Sequence, residues 1–300
     1  MKVLIIGLGS IAKKHIIALR KYDPKIELYA LRSSKTSAAQ DDVINIYSLD
    51  EVEQVSFAIV SNPTAAHADT IVMLVDKGVP MFIEKPLFSS LDHQELVARV
   101  KRLNIKTYVA CNLRFLEAIQ FIKTHIAAKR INEVNVYCGS YLPDWRPRLD
   151  YRTVYSANKE MGGGVHIDLI HEIDYVYWLF GKPIGVKKHF SNVSSLNISA
   201  FDYANYLLSY PTFNVNVQLN YYRRDPKRSL EIVCENGTFF IDLLHNKVLW
   251  REEVVFEASS RIADTYYTQM EFFINNILNG NVYFNDINEA YEILTLCLED

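Results

Sequence analysis

No block of like charge runs through this chain: 32 lysines and arginines stand against 35 aspartates and glutamates, for a formal charge of −3. That balance leaves no basic footprint for a phosphate backbone and argues against a nucleic-acid partner. No apolar run approaches the roughly 20 residues that span a bilayer, and a strand-like run already begins at Val3, leaving no room for a signal peptide. The expectation is a cytoplasmic protein with no membrane partner. Cysteine is scarce, and the four present (Cys111, Cys138, Cys234 and Cys297) show no C-x-x-C or Cys/His ligand spacing. A metal framework and a disulfide scaffold are both disfavoured, and the thiols read as small buried hydrophobes. Repeats and low-complexity segments are absent too. What remains is ordinary globular material, 300 residues at 49% hydrophobic and 22% charged, enough for two domains with their own cores.

Val3-Leu4-Ile5-Ile6 is a short apolar run of the kind that forms a buried parallel strand, and Gly7-Leu8-Gly9-Ser10-Ile11-Ala12 follows it directly, ahead of a helical stretch. In that strand-turn-helix order the G-x-G-x-x-A pattern points to a dinucleotide site. Gly7 permits the tight turn, Gly9 lets the backbone approach a pyrophosphate, and Ala12 lets helix and strand pack closely. Ser10 and Ile11 fall where a helix N-terminus offers its N–H groups to phosphate. Strand-like runs at 26–31, 55–60, 81–83 and 107–110 alternate with helical segments at 64–77 and 90–103, which predicts a doubly wound parallel sheet. Ligands bind such sheets at the carboxyl ends of their strands, where Arg32, Ser61, Asn62, Lys85 and Asn112 fall. At the end of the second strand, where an acid would favour NAD, the chain has Arg32-Ser33-Ser34-Lys35. A guanidinium fork with hydroxyl donors suits a 2′-phosphate, so NADP(H) is expected in preference to NAD(H).

From about residue 117 the pattern changes. A helix (116–128) and a strand (133–140) lead into an aromatic, arginine-rich segment, and Gly162-Gly163-Gly164 then opens a helix that ends near Phe180-Gly181. The stretches 203–210, 214–222, 229–234 and 238–243 read as an antiparallel sheet, and helices at 264–278 and 286–298 close the chain. The expected fold is α/β: an N-terminal doubly wound domain (1–116), then a C-terminal α+β domain (117–300) with a large, mostly antiparallel open sheet. Trp145, Arg146, Tyr151, Arg152 and Tyr155 combine stacking faces with guanidinium forks, which suits a sugar acid or a nucleotide-linked sugar. A surface loop anchored by its aromatics is the other reading. Tyr221-Tyr222-Arg223-Arg224 is a smaller instance of the same pairing. At about 100° per residue, Leu169, Ile173, Val176 and Phe180 form an apolar stripe, with Asp168, His171, Glu172 and Tyr175 opposite it. This predicts that His171 lies off the core, with Asp168 and Asp174 one turn away on either side, able to approach its ring or bind substrate hydroxyls.

The glycine turn, Ser61-Asn62-Pro63 with His67, Glu84-Lys85-Pro86, Asn112-Leu113-Arg114-Phe115, Gly162-Gly163-Gly164 and His171-Glu172-Ile173-Asp174 occur in this order. Together they resemble the Gfo/Idh/MocA family, the glucose-fructose oxidoreductase and inositol dehydrogenase superfamily. The resemblance implies a Rossmann domain and a C-terminal domain whose open sheet forms a homo-oligomer, dimer or tetramer. It adds Pro63, His67, Glu84, Lys85 and Asn112 to the cofactor-binding set, and implies a cis Lys85–Pro86 peptide. Lys85 becomes the catalytic lysine and His171 the acid/base, in hydride transfer between a nicotinamide and a hydroxyl-bearing carbon of a sugar-like small molecule. Histidine titrates near neutrality and a fixed ammonium stabilises a developing alkoxide, so both residue types suit those roles. Many members carry an aspartate four residues before that histidine; here Asp168 precedes it by three, which leaves its role open. A cofactor-binding regulator without turnover and a reductase of a non-sugar substrate also remain open, although intact Lys85 and His171 argue against the first.

Overall fold

The computed structural model describes residues 1–36, 40–280 and 282–298. The chain divides into two compact units, one built from Met1–Cys111 with Asp264–Thr295, the other from Asn112–Ala263 with the chain from Leu296. In the first, strands β1 (Lys2–Ile6), β2 (Glu27–Leu31), β3 (Ile44–Ile46), β4 (Phe57–Val60), β5 (Met81–Ile83) and β6 (Thr107–Val109) form one sheet in the order β3-β2-β1-β4-β5-β6. Every pair is parallel. Parallel sheets need cover on both faces, so their central strands run apolar; Phe57-Ala58-Ile59-Val60 is wholly buried. Helices α1 (Ser10–Tyr22), α2 (His67–Asp76) and α3 (Gln94–Arg102) are the crossovers. The strand order reverses between β1 and β4, and a crevice opens outside the carboxyl ends of strands at such a point.

The second unit begins with α4 (Glu117–His125), β7 (Ile131–Tyr141) and the short α5 (Leu142–Trp145). Two further helices, α6 (Val165–Asp168) and α7 (His171–Phe180), stand where the sequence predicts one. Seven strands follow: β8 (Gly185–Ser191), β9 (Tyr203–Ser209), β10 (Asn214–Asn220), β11 (Tyr222–Cys234), β12 (Gly237–Asp242), β13 (Lys247–Trp250) and β14 (Glu253–Glu257). With β7 they make an eight-stranded sheet, β14-β13-β12-β11-β7-β10-β9-β8. All its pairs are antiparallel except β7 with β10. Period-two alternation sorts its faces: Val134, Val136, Val215, Val217, Leu219, Leu230 and Ile232 are buried, whereas Asn135, Asn216, Gln218 and Glu231 keep partial exposure on the other side. Strands β8, β13 and β14 escape the sequence reading. They lie at or next to the edges of the sheet, where burial writes little periodicity into the chain.

Helices α8 (Thr265–Phe272) and α9 (Ile287–Leu298) close the chain. The sequence places them with the second domain, yet residues 264–295 belong to the first compact unit. The reason is aromatic packing. Phe273, fully buried, sets its ring 5.0 Å from Phe57, 5.4 Å from Phe82 and 6.1 Å from Tyr108, and Tyr108 donates its hydroxyl proton to Gln269 Oε1 at 3.1 Å. Asn285 Nδ2 donates to the Val109 carbonyl at 2.8 Å, capping β6. An apolar helix face shows that it will be buried but carries no record of which core it returns to. Among the described residues no helix is long and apolar enough to cross a membrane. Phe273→Ala should destabilise the parallel-sheet unit by about 3–5 kcal/mol in chemical denaturation, the cost of emptying a packed aromatic site; a loss below about 1 kcal/mol would show that the closing helices are a loosely attached tail.

Candidate active site

The glycine turn joins β1 to α1. Gly7 has φ +94°, and a Cβ on it would lie 2.2 Å from the Asn62 backbone nitrogen, so only glycine fits. At Gly9 a Cβ would meet no atom within 4 Å. Nothing in the protein demands a glycine there, so the open backbone is available to a ligand. Ala12 is buried under the sheet. A cleft of about 490 Å³ opens at the ends of β1, β2 and β4, lined by Gly7, Leu8, Arg32, Ser33, Tyr47 and Asn62, with Pro63 at its edge. The N-terminus of α1, at Ser10 and Ile11, follows the same turn. These features fit a dinucleotide: a glycine bend, backbone open to close approach, and a cation with a hydroxyl at the second strand. Ser34 is committed to a local turn, its Oγ 2.7 Å from Thr36 Oγ1.

Several residues expected to touch the cofactor also brace the site. Ser61 donates its hydroxyl to the Gly7 carbonyl at 2.8 Å, and Asn62 Nδ2 donates to Thr70 Oγ1 at 2.8 Å. His67 is 1% exposed, with Nδ1 3.0 Å from the Leu87 carbonyl and Nε2 3.1 Å from that of Asn62. It therefore staples two loops together, and burial lowers its pKa. Glu84 is also buried. Its Oε1 lies 2.5 Å from His15 Nε2, and its Oε2 accepts the Lys85 backbone N–H at 3.2 Å. The Glu84 carboxylate thus braces the end of β5, where half-buried Lys85 is joined to Pro86 by a cis peptide. His15 gave no sign in the sequence beyond its place on the inner face of α1.

In the second unit, Gly163 lets the chain pass close to Tyr155, whose carbonyl oxygen would lie 2.0 Å from a Cβ there. The chain then enters α6, turns at Leu169-Ile170, and restarts as α7 at His171. The expectation of one amphipathic helix fails for a second reason: Glu172 and Tyr175, on its polar side, are buried, while Asp168 and His171 keep partial exposure. Arg114 grips Asp174 with two hydrogen bonds, 2.9 Å from Nε and 2.8 Å from Nη2, and both side chains are 0% exposed. Glu172 is gripped the same way by Arg228, at 2.6 and 3.0 Å. A buried carboxylate persists only with such a partner, so polar residues on α7 pack inward because arginines await them. Asp174 is consequently anchored by Arg114 within the fold. His171, at the first position of α7, is left half-buried between these two anchored carboxylates and α6. His166, against Phe190 and Phe201, has its pKa pushed down to about 4, chiefly by burial, and stays neutral near pH 7. Asn112 is buried, its Nδ2 3.5 Å from the Ile262 carbonyl.

The aromatic, arginine-rich segment divides as well. Tyr151 donates its hydroxyl proton to the Leu196 carbonyl at 3.0 Å, and Tyr155 to that of Gly162 at 2.8 Å, so both hydroxyls brace the segment. Arg152 lies over the Tyr151 ring. Arg146 is exposed, as is Trp145 at 41%, although its Nε1 donates to Ser140 Oγ at 3.0 Å and its ring meets Tyr221 edge-on at 5.3 Å. Tyr221, wholly buried, donates its hydroxyl proton to Asp168 Oδ2 at 2.5 Å.

Comparison with known proteins is consistent along the chain. An oxidoreductase family with an NAD-binding Rossmann fold matches residues 1–111, and the GFO/IDH/MocA C-terminal domain matches residues 119–240. The scyllo-inositol 2-dehydrogenase (NAD(+)) of Bacillus subtilis is 22% identical over 93% of this chain and 87% of its own length. An inositol 2-dehydrogenase of Rhizobium meliloti is 26% identical over 61% of this chain and 56% of its own. Among solved structures, levoglucosan dehydrogenase with NADH and levoglucosan superposes with a TM-score of 0.84 at 16% identity, covering 99% of this chain and 95% of that one. UDP-N-acetylglucosamine 3-dehydrogenase from Acidithiobacillus ferrooxidans gives 0.80 at 18% identity, over 100% and 96%.

Removing one member of a buried pair strands the other. Arg114→Met should cost about 3–5 kcal/mol in denaturant unfolding, and adding Asp174→Leu should recover most of that loss; equal losses for the single and double variants would refute the pairing as the anchor of α7.

Proposed function

Because the chain belongs to the Gfo/Idh/MocA family of NAD-binding oxidoreductases, we propose that it oxidises or reduces a hydroxyl-bearing carbon of a sugar, sugar acid or nucleotide sugar. The observation that carries this reading is the pairing of a ligand-ready glycine turn with a lysine braced at the end of β5. When bound, the nicotinamide supplies the hydride acceptor or donor. Lys85 provides a fixed positive charge that stabilises the developing alkoxide and holds the hydroxyl. His171 takes the hydroxyl proton, a general-base role to which the histidine side chain is suited. Asp168 supports it with a carboxylate that accepts hydrogen bonds. Trp145 and Arg146, exposed at the head of their segment, offer a stacking face and a guanidinium to the rest of the substrate. Arg32 and Ser33 stand in the cleft where an acid would otherwise meet the ribose, which supports NADP(H) over NAD(H).

The second sheet exposes Leu207 at 40% and Phe240 at 37%, and this supports a homo-oligomer formed through that face. Light scattering should then find a dimer or tetramer at micromolar concentration; a monomer would overturn that part of the reading.

Nicotinamide fluorescence with NADPH and NADH, followed by addition of scyllo-inositol, levoglucosan or UDP-N-acetylglucosamine, tests the rest. NADPH should bind about tenfold or more tightly than NADH, a gap that Arg32→Ala abolishes. Lys85→Met should lower turnover at least about a hundredfold with dinucleotide affinity unchanged. Failure to bind either dinucleotide, or full activity in Lys85→Met, would overturn the proposal.

A further inference from the structure

Asp168 departs from the spacing that the family resemblance implies, and the fold shows the consequence. It closes α6, while His171 opens α7, with Leu169 and Ile170 in a turn between them. The helix that carries His171 therefore does not carry Asp168. Something outside α7 must orient this carboxylate.

We infer that Tyr221 is the positioning residue that orients Asp168 and ties it to the aromatic segment at 141–156; the functional weight of this inference rests on the dehydrogenase reading above. Tyr221 lies at the corner between β10 and β11, wholly buried, with its backbone stitched on both sides. Its N–H donates to the Asp202 carbonyl at 3.0 Å, and its carbonyl accepts the Leu142 N–H at 2.8 Å. From that fixed base the phenol reaches Asp168 Oδ2 at 2.5 Å. Trp145 packs edge-on against the ring, and its segment is tied to the same corner through the Leu142 N–H. A chain of contacts thus runs from Trp145 and Leu142 through Tyr221 to Asp168. Its polarity is set: burial first, and the Asp168 charge second, hold the Tyr221 phenol well above its ordinary pKa, so it keeps its proton and only donates. One carboxylate oxygen of Asp168 is thereby fixed in direction. A short charge-assisted bond from a rigid donor fixes orientation where helical register no longer can. Segment and carboxylate are then one unit, and a substrate that moves Trp145 against Tyr221 also acts on Asp168.

The test combines a resonance and a rate. In protein labelled with 13Cζ-tyrosine, the signal lost in Tyr221→Phe identifies Tyr221, and Asp168→Asn should shift it. An unmoved signal would overturn the tether whatever the enzyme does. With scyllo-inositol, levoglucosan or UDP-N-acetylglucosamine as probe, Tyr221→Phe should lower kcat about tenfold to a hundredfold at constant dinucleotide affinity. Asp168→Asn should lower kcat by at least as much, and the double variant should be no worse than Asp168→Asn alone, since Tyr221 acts through Asp168. Multiplicative losses in the double variant, or full activity in Tyr221→Phe, would refute positioning and leave the dehydrogenase reading intact. Wild-type protein inert towards all three probes would count against their use as substrates, and the resonance then decides the tether.

Discussion

The second unit depends on charge that has been buried and answered. Helix α7 carries two carboxylates into the interior, Glu172 and Asp174, and each meets a guanidinium through two hydrogen bonds. Two charges taken out of water repay their desolvation only when geometry and hydrogen bonding are both good, so such pairs contribute little net stability. They do contribute position. Arg228 belongs to β11 and Arg114 to the turn after the first unit, so α7 is pinned to the sheet on one side and to 112–115 on the other. An apolar helix face could slide or rotate by a fraction of a turn at small cost; a pair of bidentate contacts in different directions cannot. The same burial acts on the neighbouring Cys138, whose thiol is pushed up to about 12 by desolvation and by the Glu172 charge, and is kept inert.

A similar division holds in the first unit. Gly7 is glycine because the protein requires it, through a positive φ and contact with Asn62, while Gly9 has no such constraint from within. Ser61, His67 and Glu84 spend their polar atoms on the loops that end β1, β4 and β5. The result is a crevice whose rim is fixed by backbone contacts, leaving Arg32, Ser33 and the helix N-terminus facing outward. Rigid support of this kind is what lets a few exposed groups act with defined direction.

Much of this was legible in the sequence. Short apolar runs bounded by turn residues named five of the six parallel strands, because a strand buried on both faces is apolar, and missed the short edge strand β3, whose Ile44 is exposed; alternation named the inner strands of the second sheet for the converse reason. The limits were equally physical. Periodicity read α6 and α7 as one helix, since the break at Leu169-Ile170 lies in two apolar residues that neither glycine nor proline announces. Amphipathic reasoning set Glu172 and Tyr175 opposite the apolar stripe and Asp174 beside His171, since a helical wheel shows polarity but not the arginine that neutralises it. Arg114 stood in a quoted motif and Asp174 in another; opposite charges in two such motifs were the available signal of a pair. Arg228 and His15 offered none, because their partners lie 56 and 69 residues away.

Motif residues therefore fall into two groups that sequence alone does not separate. A residue that holds the site and a residue that performs its chemistry are under the same pressure to stay polar, and both are recognised by the same pattern. Burial separates them. Asp174, His67 and Glu84 are closed off with their polar atoms engaged by protein, whereas Lys85, His171 and Asp168 keep partial exposure. Partial exposure thus marks Lys85 within the first unit, and His171 with Asp168 within the second, as the polar motif residues that stay accessible. The larger set of polar residues acts one step back, by fixing the direction in which those three can point.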